Sequence, residues 1–156
     1  MATGRAQSED PQVLRISRSF AAPREQVFRA LTEPDQLVKW WGPRGFTVPE
    51  CALAVRPGGA WRTVMRSPEG RDHIVSGVYR EVVPPARLVF TWAWEGEGGR
   101  GHETLVTIEL HEQGDRTELT LRQETFESES ARDQHAHGWA SCLDCLEEAL
   151  AGGAVG

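Results

Sequence analysis

Six side chains in this sequence combine a polar or titratable group with apolar neighbours of matching periodicity: His73, Tyr79, His102, Thr104, Gln123 and His135. His102 and Thr104 share an alternation with Val106, Ile108 and Leu110, and Gln123 shares one with Leu119 and Leu121. A polar group placed on an apolar face needs a partner, which is a neighbouring side chain, a bound water or a ligand. His73, Tyr79 and His102 would act as acid–base groups on a bound substrate if two of them converged in one pocket.

Other reactive constellations fare less well. Cys142 and Cys145 form a CxxC pair, but near the C-terminal end of a helical pattern. Redox pairs sit at helix N-termini, where the dipole favours the thiolate, so Cys142 reads as packing. His135 lies seven residues before Cys142, about 10 Å along a helix axis, and His137 points to another face, so no metal site is expected. There is no GxSxG or HExxH motif. The glycines at 58, 59, 96, 98, 99 and 101 do not open a helix after a strand, so they read as turns and no cofactor is expected.

The chain has 156 residues, 39% of them hydrophobic, enough for one domain with a real core. The net charge is −6 and Lys39 is the one lysine, which argues against nucleic acid or an anionic membrane as partner. No apolar run approaches the roughly 20 residues of a membrane span, and the N-terminus lacks a signal-peptide core. Three cysteines is an odd number for a disulfide framework, so the expected compartment is the reducing cytoplasm. Residues 1 to 11 read as a frayed tail, 12 to 150 as the domain and 151 to 156 as a second tail.

The elements that must position these groups follow from periodicity. Val13 to Phe20 alternates as a strand, and Pro23 opens a short helix with Val27, Phe28 and Leu31 on one face. Glu33-Pro34 breaks it and starts a second, ended by Gly42-Pro43. Six strands linked as hairpins follow: Thr47 to Val55, Ala60 to Arg66, His73 to Val82, Leu88 to Trp94, His102 to Leu110, and Thr117 to Phe126. Glu95 to Gly101 reads as a glycine-rich loop. On the strand His73 to Val82, Ile74, Val78 and Val82 compete with Val75 and Tyr79 for the inward face.

The last element is a long helix, Ser130 to Leu150, with a stripe of His135, Trp139, Cys142, Leu143, Leu146 and Leu150. Ser130 with Asp133 reads as its cap, and Gly152 and Gly153 as its stop. Gly138 interrupts it at a cost of about 1 kcal/mol relative to alanine. That glycine predicts a close approach by a backbone or a ligand, or an ordinary packing contact. The order predicts an α+β fold: a curved antiparallel sheet of about seven strands against the terminal helix, with two short helices after the first strand.

Four stretches carry a resemblance: KWWGPRGFT at 39 to 47, RPGGAWR at 56 to 62, GVYREVVPPARLVFTW at 77 to 92 and HGWASCLDCLEEAL at 137 to 150. In order and spacing they resemble the START-like (SRPBCC) superfamily, and more narrowly bacterial homologues of the heat-shock protein 90 ATPase activator domain family. The resemblance implies a helix-grip fold with a hydrophobic tunnel between sheet and terminal helix.

The expected function is binding of a small hydrophobic or aromatic molecule in such a cavity. Trp61, Trp92, Trp94 and Trp139 are expected as walls, since pocket walls are mostly apolar and aromatic. Trp40, Met65, Phe90, Val106, Leu119 and Leu143 complete the expected lining, with His73, Tyr79, His102, Thr104, Gln123 and His135 as its polar members. The alternatives are a polyketide cyclase or aromatase-like enzyme and a protein-interaction module, either chaperone-regulating or a homodimer.

Overall fold

The computed structural model describes residues 13–96 and 98–151. The first strand, β1, is Val13–Phe20, followed by helices α1 (Arg24–Thr32) and α2 (Pro34–Leu37). Seven strands come next: β2 (Thr47–Leu53), β3 (Ala60–Arg66), β4 (Asp72–Val83), β5 (Arg87–Gly96), β6 (Gly99–Arg100), β7 (Thr104–Gln113) and β8 (Arg116–Glu124). Helix α3 spans Glu129–Ala151.

The sheet runs β1-β8-β7-β5-β4-β3-β2, every pairing antiparallel, with the two-residue β6 pairing the end of β5. The expected seven-strand path is therefore present. The predicted loop after Trp94 is in part structured: β5 runs on to Gly96 and β6 folds back on it. The expected N-terminal tail, residues 152–156 of the C-terminal one and the Gly152-Gly153 stop lie outside the described residues, and Ala151 ends α3.

Register puts the apolar sets on one face. Leu14, Gln123, Val106, Phe90 and Tyr79 form one row across five strands. The ambiguous parity of β4 is settled by a bulge between Tyr79 and Glu81. Val75 and Tyr79 are buried before it while Val78 is exposed. The extra residue shifts the alternation, and Val82 returns to pack on the core. Thr91 Oγ1 accepts the Val78 N–H beside that bulge, at 2.8 Å.

Two boundaries differ from expectation. Ser128, not Ser130, caps α3, its hydroxyl accepting the Ala131 N–H at 3.0 Å. Strand β7 begins at Thr104, so His102 lies before it and is exposed. His102 Nε2 is hydrogen-bonded to the backbone oxygen of Thr125 instead of facing the core.

One glycine is dictated by the packing of a tryptophan. Trp61 stands opposite Gly77, and its indole N–H crosses that residue to reach Thr91 O at 3.1 Å. A Cβ on Gly77 would sit 1.8 Å from Thr91 O and 2.6 Å from Trp61 Nε1. The Gly77→Ala variant is therefore expected to lose about 3 kcal/mol, the upper end for overpacking. Urea denaturation measures it, and a loss below about 1 kcal/mol would contradict this packing.

Candidate functional site

Helix α3 lays Trp139, Cys142, Leu143, Leu146 and Leu150 against the sheet, all buried. Its docking is fixed by a buried hydrogen-bonded chain. Trp139 Nε1 donates to Gln123 Oε1 at 2.8 Å, Gln123 Nε2 donates to Thr104 Oγ1 at 2.8 Å, and Thr104 Oγ1 donates to Trp92 O at 3.3 Å. Helix, β8, β7 and β5 are thus linked through groups that are 0% to 6% exposed. Gln123 and Thr104 are satisfied by protein, the commoner fate of buried polar groups.

A half-open cavity of about 300 Å³ lies between α3, the inner face of the sheet and the segment 41–46. Trp41, Trp92, Trp94, Trp139, Phe46 and His73 provide aromatic wall, and Met65, Cys142, Gly42, Pro43, Gln134, His135 and Gly138 complete it. The segment 41–46 is tied to α3 by the Arg44 N–H to Ser141 Oγ, at 2.9 Å, and by a two-point ion pair of Arg44 with Glu148. Gly138 contributes open space: a Cβ there would meet no heavy atom within 4 Å. No other part of the described fold crowds this glycine, and the missing side chain leaves room in the cavity.

The structure brings together Met65, His73, Trp92, Trp94, His135 and Trp139 from the expected lining. Trp61, Tyr79 and Phe90 border a separate void of about 20 Å³, too small for an organic molecule. Val106, Leu119 and Leu143 are packed in the core. Trp40 turns away, its N–H bonded to Ala30 O at 2.9 Å, and it is the adjacent Trp41 that faces the cavity. A WW pair offers no periodicity to say which ring points inward. Indoles fill the middle of the space between the sheet and the helix. Trp41, Trp92 and Trp139 are mutually 5.4 to 5.8 Å apart, and Trp61 lies 5.7 Å from Trp92.

His73, Tyr79 and His102 do not converge in one cavity. Of His73, Tyr79 and His102, only His73 lines the cavity. Burial pushes the Tyr79 phenol well above its ordinary range. Likewise burial raises the Cys142 thiol far beyond usual values and the Cys51 thiol to about 11. These thiols are packing groups, and all three cysteines are free. Among the described residues no cluster of three potential metal ligands occurs.

His135 closes the outer end of the aromatic wall. Its Nδ1 is 2.9 Å from Ala131 O and its Nε2 is 3.2 Å from Trp94 Nε1. The indole N–H can only donate, so Nε2 accepts and Nδ1 carries the proton, which is the neutral ring. Its ring also packs on Phe126 and Trp92, at 5.0 and 5.9 Å. Burial lowers its pKa from the ordinary 6.5, against a smaller opposing contribution from Ala131 O.

The sequence pattern of the family described as "Activator of Hsp90 ATPase homolog 1-like protein" matches residues 21–151. Among solved structures, the chain is similar to a protein from Silicibacter pomeroyi described as AHSA1. The two are 34% identical, covering 89% of this chain and 97% of that one, with a TM-score of 0.83. A Rhodobacter sphaeroides protein is 32% identical over 92% of this chain and 95% of its own, at a TM-score of 0.78. A Nitrosomonas europaea protein is 30% identical over 92% and 97%, at 0.79. No curated protein matches significantly.

Two outcomes are expected from this geometry. Trp92 Nε1 is buried without a hydrogen-bond partner, whereas Trp139 Nε1 is paired. Trp92→Phe therefore sacrifices no hydrogen bond, while Trp139→Phe strands the buried Gln123 oxygen. Denaturant titration should find Trp139→Phe the more costly by about 1–3 kcal/mol. The second concerns pH. Since the folded chain disfavours the charged His135 ring, its contribution to stability is complete above the ordinary value of 6.5. It is lost as pH falls from there through the lowered folded value. Thermal melts across that window should show the wild type losing stability relative to His135→Phe, and a difference independent of pH would refute the neutral ring.

Proposed function

We propose that this chain, which belongs to the family of Activator of Hsp90 ATPase homolog 1-like proteins, binds a small hydrophobic or aromatic molecule in the cavity between its sheet and α3. The observation that carries the reading is the composition of a preformed space. Four indoles and Phe46 face about 300 Å³ that the fold leaves unfilled beside Gly138. That volume stands at the lower end of the range for ligand pockets, and an aromatic lining with few polar groups is their usual composition. Every one of those rings except Trp94 and Phe46 is less than a tenth exposed, so the wall is rigid before any guest arrives.

A tightly packed protein has reason to close such a gap, since an unfilled apolar space forfeits dispersion contacts. Here the simplest closure, any side chain at position 138, is absent although nothing obstructs it. A helix residue other than glycine would also favour α3 by up to about 1 kcal/mol. Reserving this volume for a guest explains both choices at once.

Tryptophan emission, titrated with a panel of small aromatic and lipid-like compounds, tests the reading. Wild-type protein is expected to show saturable quenching by at least one compound. Gly138→Leu, which places a branched side chain in the space, should abolish that response while its melting temperature holds or rises. Gly138→Ala is expected to add about 1 kcal/mol of stability and reduce affinity only partly. Quenching that survives unchanged in Gly138→Leu would place the guest elsewhere and end this assignment.

A further inference from the structure

The cavity lining contains no lysine, arginine, aspartate or glutamate, although the chain carries 17 basic and 23 acidic side chains. An ion entering it meets no counter-charge, and the hydration lost on entry goes uncompensated. Cation–π attraction does not change this for a cation. Such recognition needs ring faces set around the charge, whereas Trp41, Trp92 and Trp139 touch one another at 5.4 to 5.8 Å and form one continuous wall.

Three polar side chains border the space: His73, Gln134 and His135. Both ring nitrogens of His135 are engaged, by Ala131 O and Trp94 Nε1. Among the described residues, the side chains of His73 and Gln134 make no hydrogen bond. Gln134 is exposed at the mouth. His73 is half-buried on β4 opposite Met65, its ring 5.6 Å from Phe46, so its imidazole is held against a wall residue with its nitrogens uncommitted. A neutral imidazole offers one donor and one acceptor, matching either a hydroxyl or a carbonyl. The volume of about 300 Å³ corresponds to roughly ten waters at about 30 Å³ each, room for two fused six-membered rings and not for a long lipid.

We infer, resting on the binding reading above, that the site selects an uncharged two-ring aromatic molecule bearing a hydroxyl or carbonyl group, and that His73 is the side chain that recognises that group. His73 is then the residue that sets specificity, while the indole wall supplies affinity that is indifferent to the substituent.

Four probes with one ring system separate these contributions: naphthalene, 2-naphthol, 2-naphthoate and 2-naphthylmethylammonium. They are titrated calorimetrically near neutral pH into the wild type, His73→Leu and His73→Gln, with thermal melts confirming that the variants fold. The wild type should bind 2-naphthol at least tenfold more tightly than either ion and about fivefold more tightly than naphthalene. His73→Leu should erase the preference for 2-naphthol over naphthalene. His73→Gln, which retains a donor and an acceptor, should keep part of it. Either ion binding as tightly as 2-naphthol overturns the charge exclusion, and a preference that persists in His73→Leu overturns the role of His73; in both cases the cavity still binds aromatic guests. If none of the four binds the wild type, the binding reading and this inference fall together.

Discussion

Most of the indole donors in this interior are given an acceptor, and the fold is arranged around those pairings. Indole carries far more apolar area than most side chains but brings an N–H that is costly to bury alone. Five of the six indoles have a partner: Ala30 O for Trp40, Thr63 Oγ1 for Trp41, Thr91 O for Trp61, His135 for Trp94 and Gln123 for Trp139. These bonds join α1, the sheet and α3 from inside the core. The link from Trp139 through Gln123 and Thr104 to Trp92 O is the one that positions the terminal helix. Leucines along the same stripe supply burial without direction, so they would tolerate a helix slid or rotated by a fraction of a turn; the indole bond would not.

The cavity is bounded by the same arrangement. Indoles packed edge to face or tilted against one another fill the centre and leave a gap where their wall ends, between the 41–46 segment, Trp94 and the glycine on α3. The ion pairs that pin α3 from outside, Arg18 with Asp144 and Glu147 and Arg44 with Glu148, are largely solvated. Pairs of this kind contribute little stability individually. Their effect is on alignment: Arg44 ties the 41–46 rim of the gap to α3, and Arg18 ties α3 to β1.

Much of the architecture was legible in the chain because it is written in short-range periodicity. Leu88, Phe90 and Trp92 announce a strand face, and the three- and four-residue spacing from Trp139 to Leu150 announces a helix stripe. The site was legible only in part. Met65, His73, Trp92, Trp94, His135 and Trp139 were expected and do line the gap, but Trp41, Pro43, Phe46 and Gln134 were not. Segment 41–46 has no period, so nothing in its spelling says which ring turns inward. The bulge at Tyr79–Glu81 and the start of β7 at Thr104 are register properties, set by pairing partners far away in the chain. His102 illustrates the cost: its parity pointed inward, but parity has no meaning before the strand begins.

The closeness of the rings has an optical consequence. Trp40, Trp41, Trp61, Trp92, Trp94 and Trp139 form a connected set in which neighbouring centroids lie 5.4 to 6.4 Å apart. At such separations light absorbed by one indole does not stay there; the excited state is shared along the set before emission. The six rings act as a single antenna whose far end is sealed in the core and whose near end, Trp94, is open to solvent.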